Sequence, residues 1–220
     1  MQLQECFATP LWIYDNCDIN NTVIETYVEE WKQKESEHRD ANQYRPNPTG
    51  LKWRSWYLNS EDFLNCSELK KLVTLGYGHA QECFKTFGPN PDVTLEYSNS
   101  WINIIERGEY VGPHIHPTSC LLATYYVKAK PRCGNIIFMN PNPAIIWNFP
   151  SAAYNKRTPY TDQLVSVDAK ESRMVFAPAH AQHYVEPSES DEDRISVILN
   201  FSFKKKNPYL TNDRNYKNFK

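Results

Sequence analysis

From residue 93 onward the hydrophobic period of the chain changes from helical spacing to two, and this limits the fold more than any other feature of the 220 residues. Candidate strands at 93–97, 101–106, 121–128, 135–138, 163–167, 173–176, 183–185 and 194–203 follow one another with no helical pattern between them. The last of these, RISVILNFSF, has two unlike faces. Arg194, Ser196, Ile198, Asn200 and Ser202 share one, and Ile195, Val197, Leu199, Phe201 and Phe203 share the other. The apolar face needs a cover, and two amphipathic helices upstream can supply it. In the first, Val23, Ile24, Tyr27, Val28 and Trp31 recur at three- and four-residue spacing through Lys34. In the second, Leu69, Leu72, Val73, Gly76, Ala80, Cys83, Phe84 and Phe87 form one stripe, with Ser67 as the expected cap and Gly88 and Pro89 as the stop. Helices first and about eight strands after them predict a mostly β protein with N-terminal helices. The expected core is a double-stranded β-helix of the jelly-roll or cupin-like kind, with the helices outside one sheet. The polar face of the last strand can then line a cavity inside the roll.

The residues that would reach this cavity include an uncommon group. His114 and His116 are separated by one residue. If that piece is extended, both side chains leave one face of a strand with Cα atoms ~6.5 to 7 Å apart, from which two imidazoles can converge on one ion. His183 sits in AHAQHYVEP, and Arg194 follows it by eleven residues. A lone strand histidine is more often a surface or satisfied core residue than a ligand. The bland reading of the pair is an exposed polar strand face ended by the Pro117 turn; its coincidence with His183 and Arg194 favours a metal site. His38 and His79 are read as structural.

Composition narrows the classes of function. The net charge of −2 gives no basic field for nucleic acid, and only 7 glycines, with no G-x-G-x-x-G or Walker-type loop, set aside the common nucleotide-binding folds. The six cysteines, Cys6, Cys17, Cys66, Cys83, Cys120 and Cys133, are widely spaced and include no C-x-x-C pair. With no leader-like start and no apolar run long enough to span a bilayer, the expectation is a cytoplasmic protein with free thiols and no membrane partner. Residues 1–220 read as a single domain: support at 1–92, beginning with the edge strand or arm FATPLWIY, the β core at 93–203, and a basic tail at 204–220. LKWRSWYL reads as a further strand or aromatic crossing. The Pro-, Asn- and aromatic-rich insertion at 140–162, with Trp147, Phe149 and Tyr154, reads as a lid or selectivity loop.

These residues together resemble the iron(II)- and 2-oxoglutarate-dependent oxygenases, in particular a branch found in bacteria and phages and related to prolyl hydroxylases. The resemblance covers roughly 93–203. It is carried by Asn103, Gly108 and His114 at successive spacings of five and six, by the tyrosine pair of ATYYV, by His183, Val185 and Pro187 in an H-x-V-x-P pattern, and by Arg194 with Ser196 two residues on. The resemblance implies Fe(II) held by His114, His116 and His183. It also implies 2-oxoglutarate held by Arg194 and Ser196 with Tyr126, and places Asn103 and Thr124 beside it. O2 and an unidentified protein or small-molecule substrate, such as a peptidyl proline, would complete a hydroxylation that releases succinate and CO2.

Two departures from the family pattern stand out. The usual second ligand is a carboxylate, whereas this chain has His116, so either three histidines hold the metal or His116 stands behind it and a carboxylate or water completes the set. Ala123 and Thr124 replace the usual Ser-Gly before the tyrosines. A three-histidine set is also that of cupin thiol dioxygenases, which use no 2-oxoglutarate; Arg194 would then bind the substrate's own carboxylate. A non-catalytic jelly-roll binding module with a structural histidine cluster is the third reading.

Overall fold

The last strand is the centre of the larger of two antiparallel sheets. The computed structural model describes residues 8–38, 53–54, 64–142, 144, 155–156 and 158–205. In chain order the elements are β1 (Trp12–Tyr14), α1 (Asn21–His38), β2 (Trp53–Arg54), α2 (Ser67–Lys85), β3 (Val93–Ile105), β4 (Val111–His114), β5 (Leu121–Lys128), β6 (Ile136–Met139), β7 (Leu164–Val167), β8 (Met174–Pro178), β9 (His183–Val185) and β10 (Arg194–Lys205). The larger sheet has the order β1-β8-β5-β10-β3-β2 and the smaller one β4-β9-β6-β7. Strands near in sequence alternate between the two sheets, as in a double-stranded β-helix. About half of the 140–162 insertion and nearly all of the basic tail fall outside the described residues, as do Cys6, Trp147, Phe149, Tyr154 and most of LKWRSWYL.

The alternation in β10 has the expected consequence. Ile195, Val197, Leu199 and Phe201 join Ile24, Val28 and Trp31 of α1 and Leu69, Leu72, Ala80, Cys83 and Phe84 of α2 in one buried cluster. A Cβ at Gly76 would stand 2.6 Å from Leu199 Cδ1, so a side chain there would force the buried Leu199 to shift, and the bare position lets helix and strand lie close. α2 begins at Ser67, but Ser67 is not its cap. Cys66 holds that position with no side-chain hydrogen bond, and its carbonyl accepts the first turn from Lys70 N at 3.0 Å. Gly88, at φ 58°, follows the helix as expected. Cys17, Cys66, Cys83, Cys120 and Cys133 are free thiols.

The segments 93–97 and 101–106 form one strand, not two. The polar run Ser98-Asn99-Ser100 reads as a break, but the pairing of β3 with β10 continues through it with a bulge: Asn200 faces Asn99 and Phe201 faces Tyr97. The extra residue, Ser98, shifts the side-chain phase by one. Leu95 and Tyr97 therefore pack against the helices before the bulge, and Ile102 and Ile104 pack there after it. The same shift turns Trp101, Asn103 and Ile105 towards the interior of the roll.

β1 closes one edge of the larger sheet by pairing with β8, and a two-point ion pair fastens it. Arg173 Nε and Nη2 donate to the two oxygens of Asp15 at 2.7 and 3.0 Å. These bonds pull the Asp15 carboxyl down to about 2. A depressed folded-state pKa stabilises in full above the unfolded value of about 4 and is lost as pH falls through the folded one. The urea midpoint of the wild type should therefore exceed that of Asp15→Asn at pH 5, and the gap should close between about pH 4 and pH 2.

Gly134 secures the junction of β6 and β9. Its φ is 85°, and a Cβ there would run into the carbonyl oxygen of Glu186, whose carbon lies 3.1 Å away. Both the backbone conformation and the close approach exclude a side chain. Gly134→Ala should cost at least ~2 kcal/mol of stability, read from the urea midpoint.

Candidate active site

The site is assembled where the two sheets face one another. His114 ends β4 and His183 begins β9, and these two residues are direct partners across the β4–β9 ladder. Their ring centroids are 4.4 Å apart. His116 is not on the strand with His114, as an extended H-x-H would have it. β4 stops at His114, and the backbone N–H of His116 instead donates to Ala179 O at 2.9 Å, just past β8. Pro113 removes one ladder donor within β4 and Pro117 removes the next beyond His116, so the pairing has little to continue it. The crossing still delivers the ring, with centroids 5.3 Å from His114 and 5.2 Å from His183. One ligand nitrogen from each of the three histidines lies within 4.8 Å of the others, a group that could hold a metal ion.

The outer nitrogens explain which atoms face inward. His114 Nδ1 lies 2.8 Å from Gly112 O and His183 Nδ1 lies 2.9 Å from Ala181 O. A carbonyl oxygen can only accept, so in each neutral ring the proton sits on Nδ1 and the lone pair on Nε2. That is the state a metal needs from imidazole. Burial pushes His183 down to about 3, with the neighbouring His114 and His116 acting the same way, so it remains neutral where an ordinary histidine would ionise. The donor set therefore fits a divalent metal of the imidazole-binding kind.

Arg194 lies in the same cavity as the histidines and is 1% exposed. Its guanidinium carbon stands 4.9 Å from the centre of the Tyr126 ring, and Nη1 makes a long 3.4 Å contact to Ser196 Oγ. Nε and Nη2 have no hydrogen-bond acceptor among the described residues. Tyr126 Oη and Asn103 Oδ1 are buried with no hydrogen-bond partner there either. Burial raises the Tyr126 phenol, and the charge on Arg194 opposes that rise. A buried cation with two unused donors is costly unless an anion meets it, and a carboxylate fits the planar fork.

The fold brings together every candidate residue from the sequence. His114, His116, His183, Arg194, Ser196, Asn103 and Thr124 line one cavity, with Tyr126 against Arg194. Thr124 and Ser196 come from neighbouring strands, since β5 pairs with β10. His79 lies elsewhere, stacked on Tyr14 at 3.9 Å. Two residues of the site carry no motif. Trp101 stacks on His116 at 5.5 Å and 23°, and Asn200 meets its Nδ1 at 2.6 Å. Their signal was strand phase: Asn200 is in step with Arg194 and Ser196, and Trp101 with Asn103.

No curated protein sequence matches the chain. Among solved structures, it resembles the non-heme alpha-ketoglutarate-dependent carbocyclase SnoK from nogalamycin biosynthesis, with 16% identity and a TM-score of 0.56 over 88% of this chain and 79% of that one. A prolyl hydroxylase from Trichoplax adhaerens, in complex with a hypoxia inducible factor peptide fragment, gives 16% identity and a TM-score of 0.54 over 87% and 83%. A 2OG-Fe(II) oxygenase family oxidoreductase from Burkholderia pseudomallei aligns at 11% identity and a TM-score of 0.44, over 60% of this chain and 55% of that one. The first two likenesses show the double-stranded β-helix fold. No helix among the described residues is long and apolar enough to cross a membrane. Residues 99–200 match the model of the family described as putative 2OG-Fe(II) oxygenase. That segment runs from the bulge in β3 to Asn200 in β10 and contains all three histidines and Arg194. Over these residues, a little under half of its length, the chain is similar to the family of putative 2OG-Fe(II) oxygenases.

Proposed function

We propose that the protein is a hydroxylase of this family in which His114, His116 and His183 hold the iron and Arg194 holds the far carboxylate of 2-oxoglutarate. The observation that carries the reading is the buried Arg194, whose Nε and Nη2 have no acceptor among the described residues, in one cavity with the three-histidine cluster. Iron(II) with 2-oxoglutarate supplies the oxidising chemistry, in which O2 is split, succinate and CO2 are released and a substrate C–H bond is hydroxylated.

The chain's own residues bind and orient. Arg194 pairs with the carboxylate through two parallel N–H donors, and Ser196 and Tyr126 offer hydroxyls beside it. Asn103 and Thr124 line the same cavity and offer further polar groups to the co-substrate. Val111, Ile136, Val185 and Ile198 supply apolar wall that limits water at the reacting centre. Residues 93–203 act as the catalytic core, 1–92 as its support, and the 140–162 insertion as the selectivity loop. A protein or small-molecule substrate is taken, with peptidyl proline the first to test.

The reading is tested by anaerobic calorimetry of 2-oxoglutarate binding to the iron-loaded and metal-free protein. Metal-dependent binding is expected. Retained iron with no 2-oxoglutarate binding would favour a three-histidine dioxygenase that takes a carboxylate substrate directly. Release of labelled CO2 from carboxyl-labelled 2-oxoglutarate separates the two in turnover.

A further inference from the structure

His116 is held differently from the other two histidines. His114 and His183 each rest on a backbone carbonyl two residues earlier, which any sequence would provide. His116 Nδ1 instead meets a side chain, Asn200 Oδ1, at 2.6 Å across 84 residues of sequence. Asn200 is 2% exposed, and its Nδ2 donates to Asn99 Oδ1 at 2.8 Å. Asn99 is the residue facing Asn200 across the β3–β10 ladder, immediately before the register shift. An amide has one accepting and one donating end. With the donating end directed to Asn99, the accepting oxygen is directed to His116. Trp101 covers one face of the imidazole, stacked at 5.5 Å and 23°, so the ring is fixed both in plane and in rotation.

We infer that Asn200 is a positioning residue that accepts the Nδ1 proton of His116 and so turns the Nε2 lone pair of that ring towards His114 and His183. This rests on the three-histidine reading of the site. It explains how a histidine can stand where a carboxylate would need no such help. A carboxylate ligand is an acceptor at both oxygens in its ionised form, whereas a neutral imidazole binds metal only in the correct tautomer. If the Asn200 amide were turned over, Nδ2 would donate to His116 Nδ1. The ring proton would move to Nε2, and His116 could not serve as a ligand. The bulge that follows Asn200 thus sets both the phase of β3 and the amide that prepares the third ligand.

The test uses the full chain. Long-range 1H–15N correlation spectra of the metal-free protein report the tautomer of each imidazole, and His116 is expected as Nδ1–H. Anaerobic Fe(II) titration is then compared across Asn200→Leu, Asn200→Asp and His116→Ala. Asn200→Leu, which keeps the volume and removes the acceptor, should weaken Fe(II) binding about 10- to 100-fold. Asn200→Asp restores an acceptor, and the exposed Asn99 amide can rotate to donate to it, so its affinity should return to within about threefold of wild type. A His116 ring protonated at Nε2 overturns the inference. So does an Asn200→Leu affinity within about twofold of wild type, or an Asn200→Asp variant as weak as Asn200→Leu. Should Asn200→Leu fail to fold, the wild-type tautomer and the Asn200→Asp affinity decide. Unchanged Fe(II) binding in His116→Ala overturns the three-histidine reading itself, while loss there with full binding in Asn200→Leu overturns the role of Asn200 alone.

Discussion

Arg194→Ala should lower the affinity for 2-oxoglutarate at least about thirtyfold, a loss of ~2 to 5 kcal/mol, while Fe(II) binding stays close to wild type. The size follows from burial. At 1% exposure the guanidinium has almost no water to fall back on, and Nε and Nη2 have no acceptor among the described residues. On this reading, truncation removes both bonds and leaves the co-substrate's far carboxylate with hydroxyls such as those of Ser196 and Tyr126 in place of a paired cation. Arg194→Lys should recover only part of the loss, since a point charge cannot reproduce the two-point fork. Calorimetry on the iron-loaded variants measures both effects, and unchanged 2-oxoglutarate affinity in Arg194→Ala would remove the carboxylate role from this residue.

His183→Ala should abolish measurable Fe(II) binding, a loss beyond about a hundredfold, because removing a ligand exceeds the cost of removing a residue that only orients one. His183 is the most enclosed of the three rings, and its Nδ1 bond to Ala181 O and its ladder position opposite His114 fix the nitrogen that faces inward. The variant should still fold. β9 keeps its pairing with β4 and β6 through the backbone, and Val185 remains packed with Ile105 and Val111. Circular dichroism and anaerobic Fe(II) titration of the same sample separate the two outcomes. Unfolding of His183→Ala, or full iron retention by it, would each count against a metal site in this cluster.

Much of the site was legible because strand periodicity is a local property. The alternation in RISVILNFSF assigned Arg194 and Ser196 to one face and Ile195, Val197 and Leu199 to the helix-covered one, and the tertiary structure keeps that division. The histidine pair, the distant His183 and the arginine came from residue type and spacing. What spacing could not give was the path of the chain between them. The extended H-x-H implied one strand carrying both rings, yet prolines on either side end the ladder and His116 reaches the cluster from a loop hydrogen-bonded to Ala179. The candidate strands 93–97 and 101–106 stood apart across Ser98-Asn99-Ser100, because polar residues mark strand ends on average and a bulge inside a long strand has the same composition.

By itself the sequence determined the fold class, the helix-covered face of the large sheet and the identity of the residues able to bind a metal and a carboxylate, since each follows from side-chain chemistry and a short-range period. The tertiary structure alone decided that Trp101 and Asn200 hold His116, that Ser98 is the extra residue whose phase shift lets both halves of β3 turn apolar side chains to the helices, and that Arg194 is buried with two nitrogens lacking an acceptor among the described residues. These depend on contacts between strands far apart in the chain, where the partner of a given atom is set by register and closure and not by its neighbours in sequence.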